Sequence, residues 1–434
     1  MIGKAYRSSG FGIDAQKEIG MRNAIWLMLA MLGLFLVGCA TTPAAPPPPV
    51  APVPTAPAAP PPPEPTPPDG ATGGDVVLPA PLYLLADQQL IRIVAATAIT
   101  PVPLLDAGFI IEFDVSPATN RLAYTLGQNQ YTADTLIIAD GDGSQPRQIA
   151  ANPFGISQPR WSPDGTQLAF AEGVSADLSD TGGVYLLDAT DSAAAPTRLL
   201  ANPPLDSSNP SGAEDQPVAP LAWSPRGDAL LVQQGFGLAV LWLATGELVS
   251  LRHATQEQLP CCDAVWTSDG QQVLVASVGN MQLGTVLPGL WQADARTGAS
   301  TPLVRSDATG EYRLAQAPYP LASGAVRMLG NTTAVPPMAG GMHLPQLRMQ
   351  QYNPDGSVAT VREELYPVRD VRWATDGRGA AVLTWTHEQG APFASYTLIW
   401  LDAGGMPPVP LHRYTGDPFN VSLQGAKPLL RWGQ

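Results

Sequence analysis

The sequence predicts an all-β chain assembled from a repeated four-stranded unit, and three observations predict it. The pentapeptide Trp161-Ser162-Pro163-Asp164-Gly165 returns as Trp223-Ser224-Pro225-Arg226-Gly227, Trp266-Thr267-Ser268-Asp269-Gly270 and Trp373-Ala374-Thr375-Asp376-Gly377. A unit recurring every few tens of residues cannot bury its own apolar face and must stack on its copies. Prolines (47) and glycines (42) together exceed a fifth of the 434 residues, which points to many turns and few long helices. Strand-like runs such as Gln167-Leu168-Ala169-Phe170 place large residues on one face and a small one on the other, an alternation that lets twisted sheets nest.

The elements follow in chain order. Residues 21–38 read as a secretory signal: one arginine, then an apolar run from Ala24 to Gly38, shorter than the ~20 residues of a membrane-spanning helix. Leu36-Val37-Gly38-Cys39 resembles the lipobox of bacterial lipoproteins. That resemblance implies that Cys39 becomes the mature N-terminus and carries acyl chains, several of which anchor stably where one would not. The implied location is outside the cytoplasm, lipid-anchored on the periplasmic or outer-surface face of a bacterial membrane. Residues 1–20 place charged and polar residues ahead of a complete signal and are expected to be a non-native extension, with Met21 as the true start.

Residues 39–74 form a Pro/Ala-rich linker, with fifteen prolines between Pro43 and Pro68. No core can form there. Such composition favours polyproline II at ~3.1 Å per residue, enough to hold a domain about 80 Å from its lipid.

Residues 75–434 carry the repeats. In the turn, proline presets φ for the first central position, aspartate bonds its own backbone, and glycine takes the φ > 0 position that closes a hairpin. A second hairpin follows, as in Val184 to Asp188 and Pro196 to Leu200, so four short strands make one unit. With the tryptophan as marker, units fall at Val115, Trp161, Trp223, Trp266, Pro320, Trp373 and Trp432, at intervals from 43 residues (Trp223 to Trp266) to 62 (Trp161 to Trp223). Val115 and Pro320 stand in degenerate copies. The markers Trp161, Pro163, Asp164, Gly165, Trp223, Gly227, Trp266, Gly270, Trp373, Gly377 and Trp432 are therefore read as turn and packing residues.

These repeats resemble those of the TolB-type β-propellers, relatives of the WD-repeat propellers, over roughly Asp75 to Gln434. The resemblance implies a β-propeller of four-stranded blades. The chain ends in an inner strand, Leu429 to Trp432, while Asp75–Leu78, Leu82–Leu85 and Leu90–Ile93 supply three strands without one, so the expectation is seven blades closed by pairing of the termini, with six blades as the alternative.

Chemistry is sparse. The net charge of −14 disfavours nucleic acid. No Gly-x-Ser-x-Gly elbow, P-loop, His-Glu-x-x-His helix or paired Cys-x-x-Cys occurs. Asp140-Gly141-Asp142-Gly143-Ser144 resembles the start of a calcium loop, but Gln145 and Ala151 occupy the positions that need glycine and a carboxylate. Cys261 and Cys262 are read as thiols at the edge of an inner strand. Met328, Met338, Met342, His343 and Met349 are read as an irregular apolar insertion ahead of a copper site, since methionine also fills gaps. His253, His343, His387 and His412 share no ligand spacing. The long stretches Ser207–Pro220 and Asn331–Pro345 mark faces for partner contact.

The expected function is a monomeric, non-enzymatic, lipid-tethered binding or scaffold module whose partners are the membrane, through Cys39, and an envelope protein or cell-wall component. No catalytic residue, metal or cofactor is assigned. The alternatives are a lactonase- or polysaccharide-lyase-type propeller enzyme with a composite channel site, and a sugar- or peptide-binding lipoprotein.

Overall fold

In a computed structural model, residues 76–433 are described apart from 106–107, 130–131, 174–181, 204–217, 236, 254–258, 260–262, 278–288, 306–310, 334–345, 387–392 and 417–428. The expected signal (residues 21–38), Cys39 and the expected linker (39–74), with Cys261, Cys262, Met338, Met342, His343 and His387, lie outside the described residues. Residues 71–434 form one compact unit.

Every described element is a strand. β1 (Val77–Ala86), β2 (Gln89–Ala95) and β3 (Ala98–Pro101) come first, then β4 (Phe109–Val115), β5 (Leu122–Gly127), β6 (Thr135–Ala139) and β7 (Arg147–Ala151). β8 (Ile156–Trp161), β9 (Gln167–Glu172), β10 (Gly183–Asp188) and β11 (Thr197–Ala201) make the next group, and β12 (Val218–Trp223), β13 (Ala229–Gln234), β14 (Gly237–Trp242) and β15 (Glu247–Ser250) the one after. β16 (Asp263–Trp266), β17 (Gln272–Ser277), β18 (Gly289–Asp294) and β19 (Ser300–Arg305) follow. The chain closes with β20 (Tyr312–Pro320), β21 (Val326–Thr333), β22 (Gln346–Tyr352), β23 (Val358–Thr360), β24 (Tyr366–Trp373), β25 (Gly379–Thr386), β26 (Ala394–Asp402), β27 (Val409–Gly416) and β28 (Leu430–Trp432).

All strand pairs are antiparallel meanders, and the sheets correct the expected blade count. Five blades are discrete four-stranded sheets: β28-β1-β2-β3, β4-β5-β6-β7, β8-β9-β10-β11, β12-β13-β14-β15 and β16-β17-β18-β19. The eight strands β20 to β27 form one sheet, so neither seven nor six separate four-stranded blades is present. The reason lies in β23. It is three residues long and covers only Gln350 to Tyr352 of β22, which leaves the Gln346–Leu347 edge of β22 open, and β24 pairs there through Pro367 and Tyr366. An open sheet edge recruits a neighbour. A second correction concerns the N-terminal strands: Asp75–Leu78 and Leu82–Leu85 belong largely to the one strand β1, irregular between Val77 and Leu82, and the outer strand is β3.

The last strand returns to the first. Leu82, Tyr83 and Leu84 of β1 pair with Trp432, Arg431 and Leu430 of β28. Apolar clusters join neighbouring sheets around the whole circuit: Tyr83, Leu85 and Leu90 pack with Phe113 and Tyr124, and Leu82, Ile93 and Leu430 pack with Leu383, Leu398 and Trp400. Burial falls outward. β5 and β14 are buried along their length, whereas β7, β11 and β15 are partly exposed.

Each marker is the final residue of the first strand of its group, the strand nearest the channel. The turn after it is tight. Gly165, Gly227, Gly270 and Gly377 sit at φ between 66° and 72°, and each glycine N–H donates to the carbonyl three residues earlier at 2.9 Å. Asp164 Oδ1 accepts from Ser162 Oγ at 2.6 Å, from the Thr166 amide at 3.0 Å and from Thr166 Oγ1 at 2.8 Å. Asp269 repeats the arrangement with Thr267 and Gln271. These bonds to the charged form hold both carboxyls below the usual carboxylate range.

Because each first strand runs from one end of the channel to the other, the topology gives the two ends different characters. One end holds the tight marker turns. The other holds the connections into each first strand and between second and third strands. At this second end stand Leu105, Phe109, Phe154, Leu365 and Phe393, all exposed.

Candidate functional site

Channel-facing chemistry in a propeller comes from the first strands, and here those strands carry charges inside otherwise apolar runs: Glu112 and Asp114 on β4, Arg160 on β8, Asp263 on β16, Arg369, Asp370 and Arg372 on β24, and Arg431 on β28. Most of these strands also carry a bulge. Register shifts lie between Ile110 and Glu112, Ser157 and Arg160, Pro220 and Ala222, Gln316 and Tyr319, and Val368 and Asp370. A bulge leaves backbone groups out of the ladder and in need of partners. Gln158 (φ 52°) and Ala317 (φ 51°) are bulge residues held in the left-handed region.

The charges supply those partners by a fixed rule. A carboxylate three residues before its marker accepts the N–H three residues before the next marker. Glu112 Oε2 takes the Gln158 amide at 2.7 Å, Asp263 Oδ2 takes that of Ala317 at 2.6 Å, and Asp370 Oδ2 takes that of Leu429 at 2.6 Å and of Leu430 at 3.0 Å. Asp114, one residue before its marker, accepts the Trp161 amide at 2.9 Å.

Arginines one residue before a marker reach the next first strand in the same direction along the ring. Arg160 Nε donates to the Leu221 carbonyl at 2.8 Å and Arg372 Nε to the Leu430 carbonyl at 3.2 Å. Arg431 Nε meets Asp114 Oδ1 at 2.6 Å, joining the last strand to the first complete blade. The marker indoles complete the set: Trp223 Nε1 donates to the Arg160 carbonyl at 2.9 Å, Trp432 Nε1 to that of Arg372 at 3.2 Å, and Trp373 Nε1 to that of Ala317 at 2.6 Å. Trp266 reaches Ala222 more weakly at 3.4 Å. Trp161 is the exception, its ring lying under the Arg121 guanidinium at 5.2 Å from the centroid.

Burial shapes the electrostatics of this wall. It pulls Arg160 below its ordinary pKa against the attraction of Asp114 and Glu112. Burial first, then the nearby Arg160, lowers Arg431 to about 9, with Asp114 opposing. Asp263 moves the other way: burial raises it to about 6, while the Ala317 N–H and Arg372 pull it down and Asp370 adds to the rise.

Asp263 gives a prediction with a defined sign. The folded chain holds this proton to higher pH than the unfolded chain, whose aspartates titrate near ~3.9, so the folded state binds more protons across the interval and loses stability as pH rises from about 4 to about 6. Asp263→Asn keeps an acceptor for Ala317 and removes the charge. The variant is expected to show a flatter pH dependence in denaturant melts and to gain on the order of 1–3 kcal/mol at pH 7; parallel curves for parent and variant would refute the shift.

The sequence-singled residues separate into groups. Trp161, Trp223, Trp266, Trp373 and Trp432 end the first strands, while Pro163, Asp164, Gly165, Gly227, Gly270 and Gly377 lie in the turns outside the channel. Asp140 to Ser144 form the β6–β7 hairpin turn, with Asp142 accepting the Ser144 amide at 2.9 Å. Among the described residues, no three His, Cys, Asp or Glu gather as a metal-binding group. Met328 and Met349 are buried core residues. Glu112, Asp114, Arg160, Asp263, Asp370, Arg372 and Arg431 went unread in the sequence, although their constant offsets from the marker were visible there.

No protein-family model matches this chain, and no curated protein does. Solved structures that resemble it include a putative TolB from Agrobacterium tumefaciens (15% identity, 65% of this chain and 87% of that one, TM-score 0.37). TolB from Acinetobacter baumannii (16%, 81% and 82%, TM-score 0.39) is another. A prolyl endopeptidase resembles it at 10% identity over 71% of this chain and half of its own length, with TM-score 0.41. The first two are of the propeller type that the Trp-Ser-Pro-Asp-Gly repeats resemble.

Proposed function

We propose that this chain is a lipid-anchored scaffold of the bacterial cell envelope, whose propeller binds an envelope protein or cell-wall component at the end opposite the tight turns. The observation that carries the reading is a division of roles. Carboxylates and arginines of the first strands are engaged in fastening one strand to the next, whereas Leu105, Phe109, Phe154, Leu365 and Phe393 are exposed together at one end. Apolar residues gathered on one face of a soluble domain mark an interaction surface. The resemblance of the repeats to TolB-type propellers supports an envelope role, and the lipobox-like Leu36 to Cys39 with its Pro/Ala-rich linker supports a tether.

Two arms test this. Cys39→Ala is expected to move the protein from the membrane to the soluble fraction. Phe154→Asp with Phe393→Asp is expected to weaken crosslinked capture of the partner at least about tenfold while the melting temperature holds, because the changed side chains are 45% and 60% exposed. Capture unaffected by these substitutions would place the binding surface elsewhere, and unchanged membrane retention of the Cys39 variant would remove the tether.

A further inference from the structure

Three arginines stand one residue before a marker: Arg160 on β8, Arg372 on β24 and Arg431 on β28. The same position holds Ala222 on β12, Val265 on β16 and Tyr319 on β20. Each first strand neighbours the next around the circuit, these three included, so fastening alone does not require a guanidinium there. In circuit order β24, β28, β4 and β8 follow one another, which gathers the three arginines, with Asp114 of β4, on one side of the channel.

Direct contacts bring the guanidiniums together. The Leu429 carbonyl accepts the Leu85 amide and the Gly433 amide donates to Pro81, so these residues of the last strand face β1. By strand alternation the N–H and C=O of Leu430 point to the opposite edge, towards the channel, where Asp370 takes the N–H. The Leu430 carbonyl accepts from both Arg372 Nε at 3.2 Å and Arg431 Nη1 at 3.4 Å. Two like charges share one acceptor. Arg431 Nε rests on Asp114 Oδ1, and the other oxygen of Asp114 accepts the amide of Trp161, the residue after Arg160. Arg160 is 7% exposed and lies on two carbonyls, Leu221 and Pro159, with no ion-pair partner among the described residues. Nor does any described residue accept from the Nη2 of Arg160 or of Arg431. The crowding is felt electrostatically: burial, then the positive charges of Arg160 and Arg372, lower Arg431 to about 9.

We propose that the channel, at the level adjoining the tight turns, binds an oxyanion group, a carboxylate or a phosphate, held by Arg372 and Arg431 with Arg160 beside them. Guanidinium N–H groups not spent on the wall are the donors, and their planar geometry suits paired oxygens. Arg372 is the most open of the three, its side chain 32% exposed against 15% for Arg431. Glu112, Asp263 and Asp370 stand two residues farther from the turns, so an anion entering from the turn end meets the arginines first and negative charge beyond them. A chain of net charge −14 repels anions in general, so holding one requires a local site. This site lies at the end opposite the docking face proposed above and does not depend on it.

The test uses the full-length chain with sodium phosphate or sodium succinate at millimolar concentration, against sodium chloride of equal ionic strength, read by thermal shift and titration calorimetry. A saturable rise in melting temperature of a few degrees beyond the chloride control is expected, and which salt produces it tells a phosphate from a carboxylate source. Arg372→Gln is expected to weaken that anion at least about tenfold. Arg226→Gln, which changes a turn arginine whose side chain is 53% exposed, is expected to bind as the parent does. A second measurement needs no variant: the bound anion is expected to shield Arg372 from phenylglyoxal while Arg226 reacts at its former rate. A rise no larger than in chloride, equal losses in the two variants, or Arg372 modified as fast with the anion as without it would each overturn the proposal.

Discussion

Deleting Leu429 to Gln434 is expected to remove most of the stability of the propeller. The six residues are few, but they hold contacts at both sides of the closure. Leu430 is fully buried, between Leu82 and Leu84 of the first strand and Leu383 and Leu398 of the last sheet. Three backbone pairs to β1 disappear, exposing an edge in the centre of the ring. Asp370 loses both amides it serves, Asp114 loses Arg431, and Trp400 loses the edge-on Trp432 ring 6.1 Å away. Folded domains are stable by only ~5–15 kcal/mol, and losing a buried leucine, an indole and a buried ion pair together is on the order of that total. Denaturant unfolding of the truncated chain is expected to give a midpoint near zero denaturant or no cooperative transition; a midpoint equal to the parent's would refute the closure.

Asp114→Ala carries the second largest expected effect. Asp114 sits at the meeting of three strands, accepting Trp161 N–H from β8 with one oxygen and Arg431 Nε from β28 with the other. Both side chains of the ion pair are largely enclosed, at 11% and 15% exposure. Removing one partner of such a pair leaves a guanidinium without compensation and costs about 3–5 kcal/mol. Asp114→Asn keeps an acceptor for the Trp161 amide but not the charge, and is expected to lose less. Equilibrium unfolding of the two variants separates the terms: equal losses would mean that the amide contact matters and the ion pair does not.

The fold was legible where its causes are local. Ser162-Pro163-Asp164-Gly165 specifies a turn through neighbouring residues, and Trp161, Trp223, Trp266 and Trp373 each lie where such a turn begins. The blade count was not legible, because it depends on pairing between segments. Nothing in Val358 to Thr360 says that β23 stops short, or that Tyr366 and Pro367 would take the edge it leaves. Asp75–Leu78 and Leu82–Leu85 read as two strands, but the chain carries Val77 to Ala86 as one strand with an irregularity between Val77 and Leu82.

The channel wall lay between these cases. Glu112, Asp263 and Asp370 stand at one offset from their markers, and Arg160, Arg372 and Arg431 at another, so the pattern was present in the sequence. Its meaning was not, because for Glu112 and Asp263 a bulge in the neighbouring strand creates the unpaired N–H that the carboxylate meets. Bulges such as Gln158 and Ala317 carry no signature of their own beyond the left-handed backbone seen in three dimensions. The same ionisable residues would have looked like a catalytic set had only their types and their convergence been known.

Whether these charges are fasteners is tested most directly by native-state amide exchange at Gln158, Trp161, Ala317 and Leu430, four N–H groups that lie outside the ordinary ladder and depend on carboxylates across a strand boundary. The account predicts protection approaching that of the central-strand amides, released only by global unfolding. Exchange at the rate of exposed loops, with the central strands still protected, would show that the carboxylates are free of the backbone and would contradict it.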